Sequence, residues 1–216
     1  MYSKEEIVKT ISECGLIPVV RTTDAQQALK VADALQSGGA PIIEITMTVP
    51  GALSVLEELS RSVSDTVILG AGTVLDGETA RMAVLAGAQF IVAPTLDEST
   101  IKVCNRYSRP VVPGALTPTE ILRAWELGAD FVKVFPADAV GGPSYIKSVK
   151  APLPQVALVP TGGVDIYTAP EFIKAGAAAV GAGGALIKKK FLAEENYDGL
   201  VQHTKDFLNA IKNARR

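Results

Sequence analysis

The stretch Leu127-Gly128-Ala129-Asp130-Phe131-Val132-Lys133-Val134-Phe135-Pro136 carries both the fold signal and the chemical signal of this chain. A glycine that ends a predicted helix is followed by an almost wholly apolar run, which predicts a buried strand. Close variants of Leu-Gly-Ala recur at Ala86-Gly87-Ala88 and Ala175-Gly176-Ala177, again just before predicted strands. The repetition indicates a chain built from alternating helices and parallel strands.

Eight short apolar or β-branched runs are predicted as strands. They cover residues 16–20, 41–46, 67–70, 89–93, 110–112, 131–135, 156–160 and 178–181. Helical patterns between them supply the crossovers that a parallel sheet requires, for example 24–36, 51–62, 77–85, 118–127 and 166–174. The pattern predicts an α/β fold, a single (β/α)8 TIM-barrel domain over residues 1–216 with an additional N-terminal helix at 4–13. A doubly wound open sheet would produce a similar local pattern.

The composition argues against several classes of partner. The 216 residues carry 21 basic and 23 acidic side chains, and the net charge of -2 predicts no nucleic-acid partner. The first residues lack an apolar signal core and no apolar run reaches membrane-spanning length, so we expect no membrane partner and a cytoplasmic location. Cys14 and Cys104 match neither a metal spacing nor a disulfide framework, and we expect no metal.

Lys133 is a charged residue inside an apolar strand. Burying an ammonium without a partner costs several kcal/mol, so a desolvated lysine tends to become a neutral amine, which can form a Schiff base with a carbonyl compound. The alternative is an edge-strand lysine whose stem lies on the sheet while its head reaches water. Glu44 is placed similarly in the second strand. The two residues form either a buried ion pair or a pair that transfers a proton.

Unusual residues recur where predicted strands end, which is where barrel enzymes carry their chemistry. They are Arg21, Glu44, Thr73, Pro94, Gly114, Lys133, Thr161, Gly162, Gly163, Gly183 and Gly184. Backbone amides freed by glycine can approach a phosphate closely, so the glycine pairs after the last two strands predict an anion site, with Arg21 as an added charge. An isolated glycine pair would be explained as a tight turn.

Four segments resemble signature motifs of the bacterial 2-keto-3-deoxy-6-phosphogluconate (KDPG) and 4-hydroxy-2-oxoglutarate (KHG) aldolase family. They are Ile43-Glu44-Ile45-Thr46, Gly70-Ala71-Gly72-Thr73-Val74, Phe131-Val132-Lys133-Val134-Phe135-Pro136-Ala137 and Pro160-Thr161-Gly162-Gly163-Val164. The resemblance implies a class I lyase that cleaves KDPG to pyruvate and glyceraldehyde 3-phosphate, or KHG to pyruvate and glyoxylate, or both. It also implies a homotrimer that takes a small 2-keto acid and needs no cofactor beyond the covalent Schiff base.

The resemblance also assigns roles to individual residues. Lys133 is the expected Schiff-base lysine, and Glu44 is the expected general acid and base, acting through a water. Thr73 and Pro94 are expected at the pyruvate carboxylate. The residues expected around the distal phosphate or carboxylate are Arg21, Thr161, Gly162, Gly163, Gly183 and Gly184.

The chain departs from the family pattern at the distal end of the expected site. Gly184 stands where members commonly have serine, and Thr48 lies where some carry arginine. Two other functions stay open at this point. One is a phosphate-binding barrel isomerase or synthase in which Lys133 acts as a point charge, and the other is a non-catalytic assembly scaffold on the same fold.

Overall fold

Strands and helices alternate along residues 2–215, the part of the chain that the computed structural model describes. The strands are β1 (Leu16–Val20), β2 (Ile42–Thr46), β3 (Ile68–Gly72), β4 (Phe90–Val92), β5 (Val111–Val112), β6 (Gly114–Ala115), β7 (Val132–Val134), β8 (Leu158–Pro160) and β9 (Val180–Ala182). The helices are α1 (Lys4–Cys14), α2 (Ala25–Ser37), α3 (Ala52–Ser62), α4 (Gly77–Leu85), α5 (Glu98–Arg106), α6 (Pro118–Glu126), α7 (Pro143–Lys150), α8 (Thr168–Lys174), α9 (Lys189–Ala193) and α10 (Tyr197–Ala214), with a 3-10 turn at Asp138–Val140.

The strands pair in parallel in two groups. Six form a sheet in the order β5-β4-β3-β2-β1-β9, and three form a sheet in the order β6-β7-β8. Only Pro113 separates β5 from β6 along the chain. On the other side, Thr161 after β8 forms a parallel bridge with Gly181 in β9. The molecule is therefore a curled, parallel α/β sheet with helices between its strands, as the sequence predicts.

Glycine at the end of several helices turns the chain toward the next strand. Gly87, Gly128 and Gly176 have φ angles of 107°, 89° and 100°, in the left-handed region that side chains with a Cβ rarely adopt. The predicted helices 77–85 and 4–13 correspond to α4 and α1. The short helix α9 was not predicted.

The inner face of the sheet is filled with apolar side chains at the amino ends of its strands. Ile7 and Ile11 of α1 pack there, so the N-terminal helix covers this end of the fold. The strand residues in the same cluster are Ile17, Ile42, Ile68, Phe90, Val92, Val112, Phe131, Val159 and Ala179. Polar side chains on the inner face must therefore lie farther along the strands, toward their carboxyl ends.

Candidate active site

Glu44 and Lys133 lie on the inner face, one step beyond the apolar cluster. Side chains two residues apart in a strand point to the same side, so Glu44 shares the face of Ile42, and Lys133 shares the face of Phe131. Both side chains are buried, with exposed fractions of 2% for Glu44 and 6% for Lys133. Lys133 is thus not an edge-strand lysine that reaches water, because β7 lies between β6 and β8.

Glycine in β3 makes room for the buried carboxyl. In the ladder Glu44 is the register partner of Gly70, and Thr46 is the partner of Gly72. A Cβ added to Gly72 would overlap Glu44 Oε1 and would stand 2.7 Å from Glu44 Cγ. A Cβ on Gly70 would instead overlap the ring of Phe90 in the apolar cluster. The Gly-Ala-Gly run is therefore a packing requirement of the site as well as part of a strand.

Burial changes the acidity of both groups. Burial lowers the pKa of Lys133, against the opposing charge of Glu44, and the charge of Arg21 lowers it further. Burial likewise raises the pKa of Glu44, while Lys133 and Arg21 act to lower it. Within residues 2–215, no ion pair of 4.0 Å or less joins Glu44 to Lys133, and Glu44 Oε1 has no hydrogen-bond partner. The site thus holds a lysine biased toward the neutral amine and a carboxyl biased toward its protonated form.

A cavity of about 500 Å³ lies at the carboxyl ends of the strands, next to Lys133. The predicted site residues that line it are Arg21, Lys133, Thr161, Gly162, Gly163, Gly183 and Gly184. The backbone holds the loop after β8 against the end of β7: Thr161 N donates to Val134 O at 2.9 Å, and Ala137 N donates to Thr161 O at 2.9 Å. The structure therefore brings the lysine, an arginine and both glycine pairs to one cavity.

The other predicted site residues lie outside the lining of this cavity. Glu44 is buried and interacts electrostatically with Lys133. Thr73 directly follows β3 and has a φ of 57°, an uncommon conformation for a threonine. Pro94 follows β4 and packs against β6, since a Cβ on Gly114 would overlap the Pro94 carbonyl. Thr73 and Pro94 are both partly buried.

The two glycine pairs differ in what the backbone demands. Gly162 and Gly163 have φ angles of 100° and 65°, and they pack against Asp138, so a side chain at either position would be strained. Gly184 has no such constraint, because a Cβ there would meet nothing within 4 Å. The turn therefore requires glycine at both positions of the first pair, and both residues line the cavity. The absence of a side chain at Gly184 leaves space beside the cavity.

Several residues that line the cavity were missed at the sequence level. They include Phe135, Asp165 and Lys189. Lys133 Nζ lies 4.9 Å from the centre of the Phe135 ring. Lys189 belongs to the run Lys188-Lys189-Lys190, and its charge was visible in the sequence. What the sequence did not show was the helix α9, which decides which of the three lysines faces the cavity.

Among residues 2–215, no group of three or more His, Cys, Asp or Glu side chains could hold a metal ion. In the same range, no helix is both long enough and apolar enough to cross a membrane.

A buried lysine with a lowered pKa and a buried carboxyl with a raised pKa lie at the strand ends, beside a cavity that an arginine also lines. This combination defines a class: the lysine-dependent lyases on a parallel α/β fold. Comparison with known families gives the same class. The family model for KDPG and KHG aldolases matches residues 7–203, and the chain belongs to this family.

Similar proteins cover nearly the whole chain. The 2-dehydro-3-deoxy-phosphogluconate aldolase of Haemophilus influenzae is 30% identical over 211 residues, which is 98% of this chain and 99% of the relative. The structure of KDPG aldolase from Legionella pneumophila, with pyruvate captured as a covalent carbinolamine, is similar with a TM-score of 0.85 and 28% identity, covering 92% of this chain and 96% of that one. A designed cube-shaped cage made by fusing symmetric oligomeric domains has a TM-score of 0.85 and 30% identity, over 93% of this chain and 73% of the cage chain.

Proposed function

We propose that this chain is a class I aldolase that cleaves KDPG to pyruvate and glyceraldehyde 3-phosphate, and KHG to pyruvate and glyoxylate, through a Schiff base on Lys133. The observation that carries the proposal is the buried Lys133 amine with its lowered pKa, at the inner end of a cavity whose wall includes Arg21. The covalent pyruvate carbinolamine in the similar Legionella pneumophila enzyme supports the same chemistry.

The reaction begins when the neutral amine of Lys133 attacks the C2 ketone of the substrate. The carbinolamine that forms loses water to give an iminium. Glu44 removes the proton of the C4 hydroxyl through a water, the C3–C4 bond breaks, and its electron pair moves to the iminium, which becomes an enamine. The aldehyde leaves, the enamine takes a proton at C3, and hydrolysis of the new iminium releases pyruvate and restores Lys133.

Glu44 suits this role because burial raises its pKa above that of an exposed carboxyl. A carboxyl with a pKa near the working pH can both accept and return a proton, which is the requirement for general acid and base catalysis. Thr73 and Pro94, at the ends of β3 and β4, are proposed to bind the pyruvate carboxylate. The residues proposed for the distal anion are Arg21, Thr161, Gly162, Gly163, Gly183 and Gly184.

We propose further that the curled sheet closes into one eightfold barrel domain. Two observations support closure. A single proline separates β5 from β6, and Ala178 N, just before β9, donates to the carbonyl of Leu158, the first residue of β8, at 2.9 Å. Proline has no N–H, so Pro113 interrupts the ladder without ending the extended chain.

The proposed assembly is a homotrimer. The exposed apolar side chains of α4 support an interface between copies of this chain: Met82 and Leu85, three residues apart, are 52% and 68% exposed. The similarity to a cage built from symmetric oligomeric domains supports self-association. Sedimentation equilibrium would test it: Met82→Glu should shift a trimer of the 22.6 kDa chain toward monomer. A monomeric parent protein would refute it. The cytoplasmic location stays a prediction from the sequence.

Borohydride trapping with pyruvate tests the Schiff base directly. Reduction of the iminium should add one pyruvate-derived group, and peptide mapping should place it on Lys133. Lys150 is the internal control, because partial burial also lowers its pKa while it donates hydrogen bonds to Pro154 O and Val156 O. An adduct on Lys150, or no adduct at all, would overturn the proposal. Phosphate binding without any pyruvate adduct would favour the isomerase or synthase alternative.

A further inference from the structure

A second cation faces the cavity from the loop and helix that follow β9. Gly183 begins the turn, because its carbonyl accepts hydrogen bonds from Leu186 N at 3.0 Å and Ile187 N at 2.8 Å. The chain then enters α9 at Lys189, which lines the same cavity as Lys133. Lys189 is therefore in the same space as the proposed Schiff-base lysine, but it comes from a different wall.

The two neighbouring lysines are engaged elsewhere. Lys188 Nζ lies 5.7 Å from the centre of the Phe191 ring, and Lys190 Nζ lies 4.0 Å from Glu194 Oε1. Lys189 is exposed, and within residues 2–215 its side chain makes no hydrogen bond or ion pair. Of this lysine run, Lys189 is the member that can offer its ammonium to a ligand in the cavity.

The charges around the cavity favour an anion near Lys189. Arg21 and Lys189 are cations in its lining, and Asp165 is the carboxylate there. Asp165 Oδ1 already accepts hydrogen bonds from Tyr167 N and Thr168 N at 2.8 Å and from Thr168 Oγ1 at 3.2 Å. The turn thus uses one oxygen of this carboxylate, whereas neither cation has an ion-pair partner in the part of the chain that the structure describes.

Side-chain donors to an anion are otherwise scarce on this wall. Gly184 contributes no side chain, and Thr48 is not in the cavity lining, its hydroxyl being in contact with Thr46 Oγ1 at 2.7 Å. An ammonium binds a dianion more strongly than a monoanion, since the Coulomb energy scales with the product of the charges. A free lysine in the same cavity lining as Gly184 therefore favours a phosphate over a carboxylate.

We propose that Lys189 is a specificity-determining residue, which acts with Arg21 at the cavity wall to select substrates that end in a dianionic phosphate ester over those that end in a carboxylate. The inference rests on the proposed aldolase function. Lys189 lies outside the four segments that resemble the family motifs.

The test compares Lys189→Met with the matched controls Lys188→Met and Lys190→Met, which remove the same charge from adjacent positions that do not line the cavity. Steady-state kinetics are measured on KDPG and on KHG. For Lys189→Met, kcat/KM for KDPG should fall about tenfold, the loss expected for one charge-assisted hydrogen bond. The loss should appear in KM, and kcat/KM for KHG should change by less than about twofold. Lys189→Arg should restore most of the KDPG affinity.

Binding of inorganic phosphate to the free protein, measured by calorimetry, gives a readout that does not require turnover. The affinity for phosphate should fall in Lys189→Met and stay near the parent value in the two control variants. An equal loss in a control, an equal loss on KDPG and KHG, or unchanged phosphate affinity in Lys189→Met would overturn the inference. Pyruvate trapping on each variant separates this failure from failure of the proposed function, because trapping reports Lys133 alone.

Discussion

The substitution Gly72→Ala would displace the proposed acid and base without altering its chemistry. Carbon atoms in contact lie about 3.5–4.0 Å apart, whereas the new Cβ would stand 2.7 Å from Glu44 Cγ and would overlap its Oε1. The carboxyl must therefore move by roughly 1 Å. A misplacement of this size can cost about 100-fold in rate, which corresponds to about 2.7 kcal/mol of lost transition-state stabilisation.

The assay is steady-state cleavage of KDPG with coupled detection of pyruvate, with borohydride trapping on the same preparations. Gly72→Ala should lower kcat about 100-fold while pyruvate still forms an adduct on Lys133, which also shows that the variant is folded. Glu44→Gln is the reference, and the double variant should be little slower than the slower single variant, because both changes act on one carboxyl. A kcat for Gly72→Ala within about threefold of the parent would refute the packing argument, as would losses that simply multiply in the double variant.

The buried charged groups of the site and the open space at Gly184 lead to three further predictions. Burial lowers the pKa of Lys133, so the rate of Schiff-base formation should rise with pH and reach half its maximum below the ordinary lysine pKa; a midpoint at or above that value in pH-dependent trapping would contradict the burial argument. Replacing both Lys133 by Met and Glu44 by Gln should raise the free energy of unfolding at pH 7, because burial disfavours the charged form of each group in the folded protein. A lysine whose pKa is lowered in the folded state destabilises the fold most at low pH. The part of the stabilisation that comes from replacing Lys133 should therefore shrink toward zero above the ordinary lysine pKa. Urea unfolding at several pH values would measure it. Gly184→Ser adds a hydroxyl where a Cβ meets no atom within 4 Å, so KM for KDPG should fall about tenfold; an unchanged KM would show that the substrate's distal anion does not reach this turn.

The part of the fold that could be predicted rests mostly on local sequence patterns. Gly128 and Gly176 mark helix ends because their positive φ is difficult for other residues, and the apolar strands between such points identify a parallel sheet. The prediction is incomplete around Pro113. The predicted strand ends just before this proline, whereas in the structure a further strand, Gly114–Ala115, follows it. A proline removes one donor from the ladder, and whether pairing continues beyond it depends on the neighbouring strand.

The site residues likewise include some that could be predicted from the sequence and some that could not. Lys133 and Glu44 stand out in sequence because a charged residue within an apolar strand is costly, so their burial could be anticipated. Gly72 could be seen as part of a motif, but its packing role depends on the direction of the Glu44 side chain across the ladder. Lys189 could not be separated from Lys188 and Lys190, because their contacts depend on where α9 lies in three dimensions.

The apolar cluster that α1 covers also determines the order of events in the cavity. Phe131 and its neighbours close the space on the inner side of Lys133, so ligands enter and leave past the loops that carry Gly163 and Lys189. The proposed Schiff base on Lys133 would tether the pyruvyl half at the blind end after cleavage, with the aldehyde half nearer the exit. Under that proposal release is sequential, aldehyde first and pyruvate second, and in the synthetic direction pyruvate must load before its aldehyde partner.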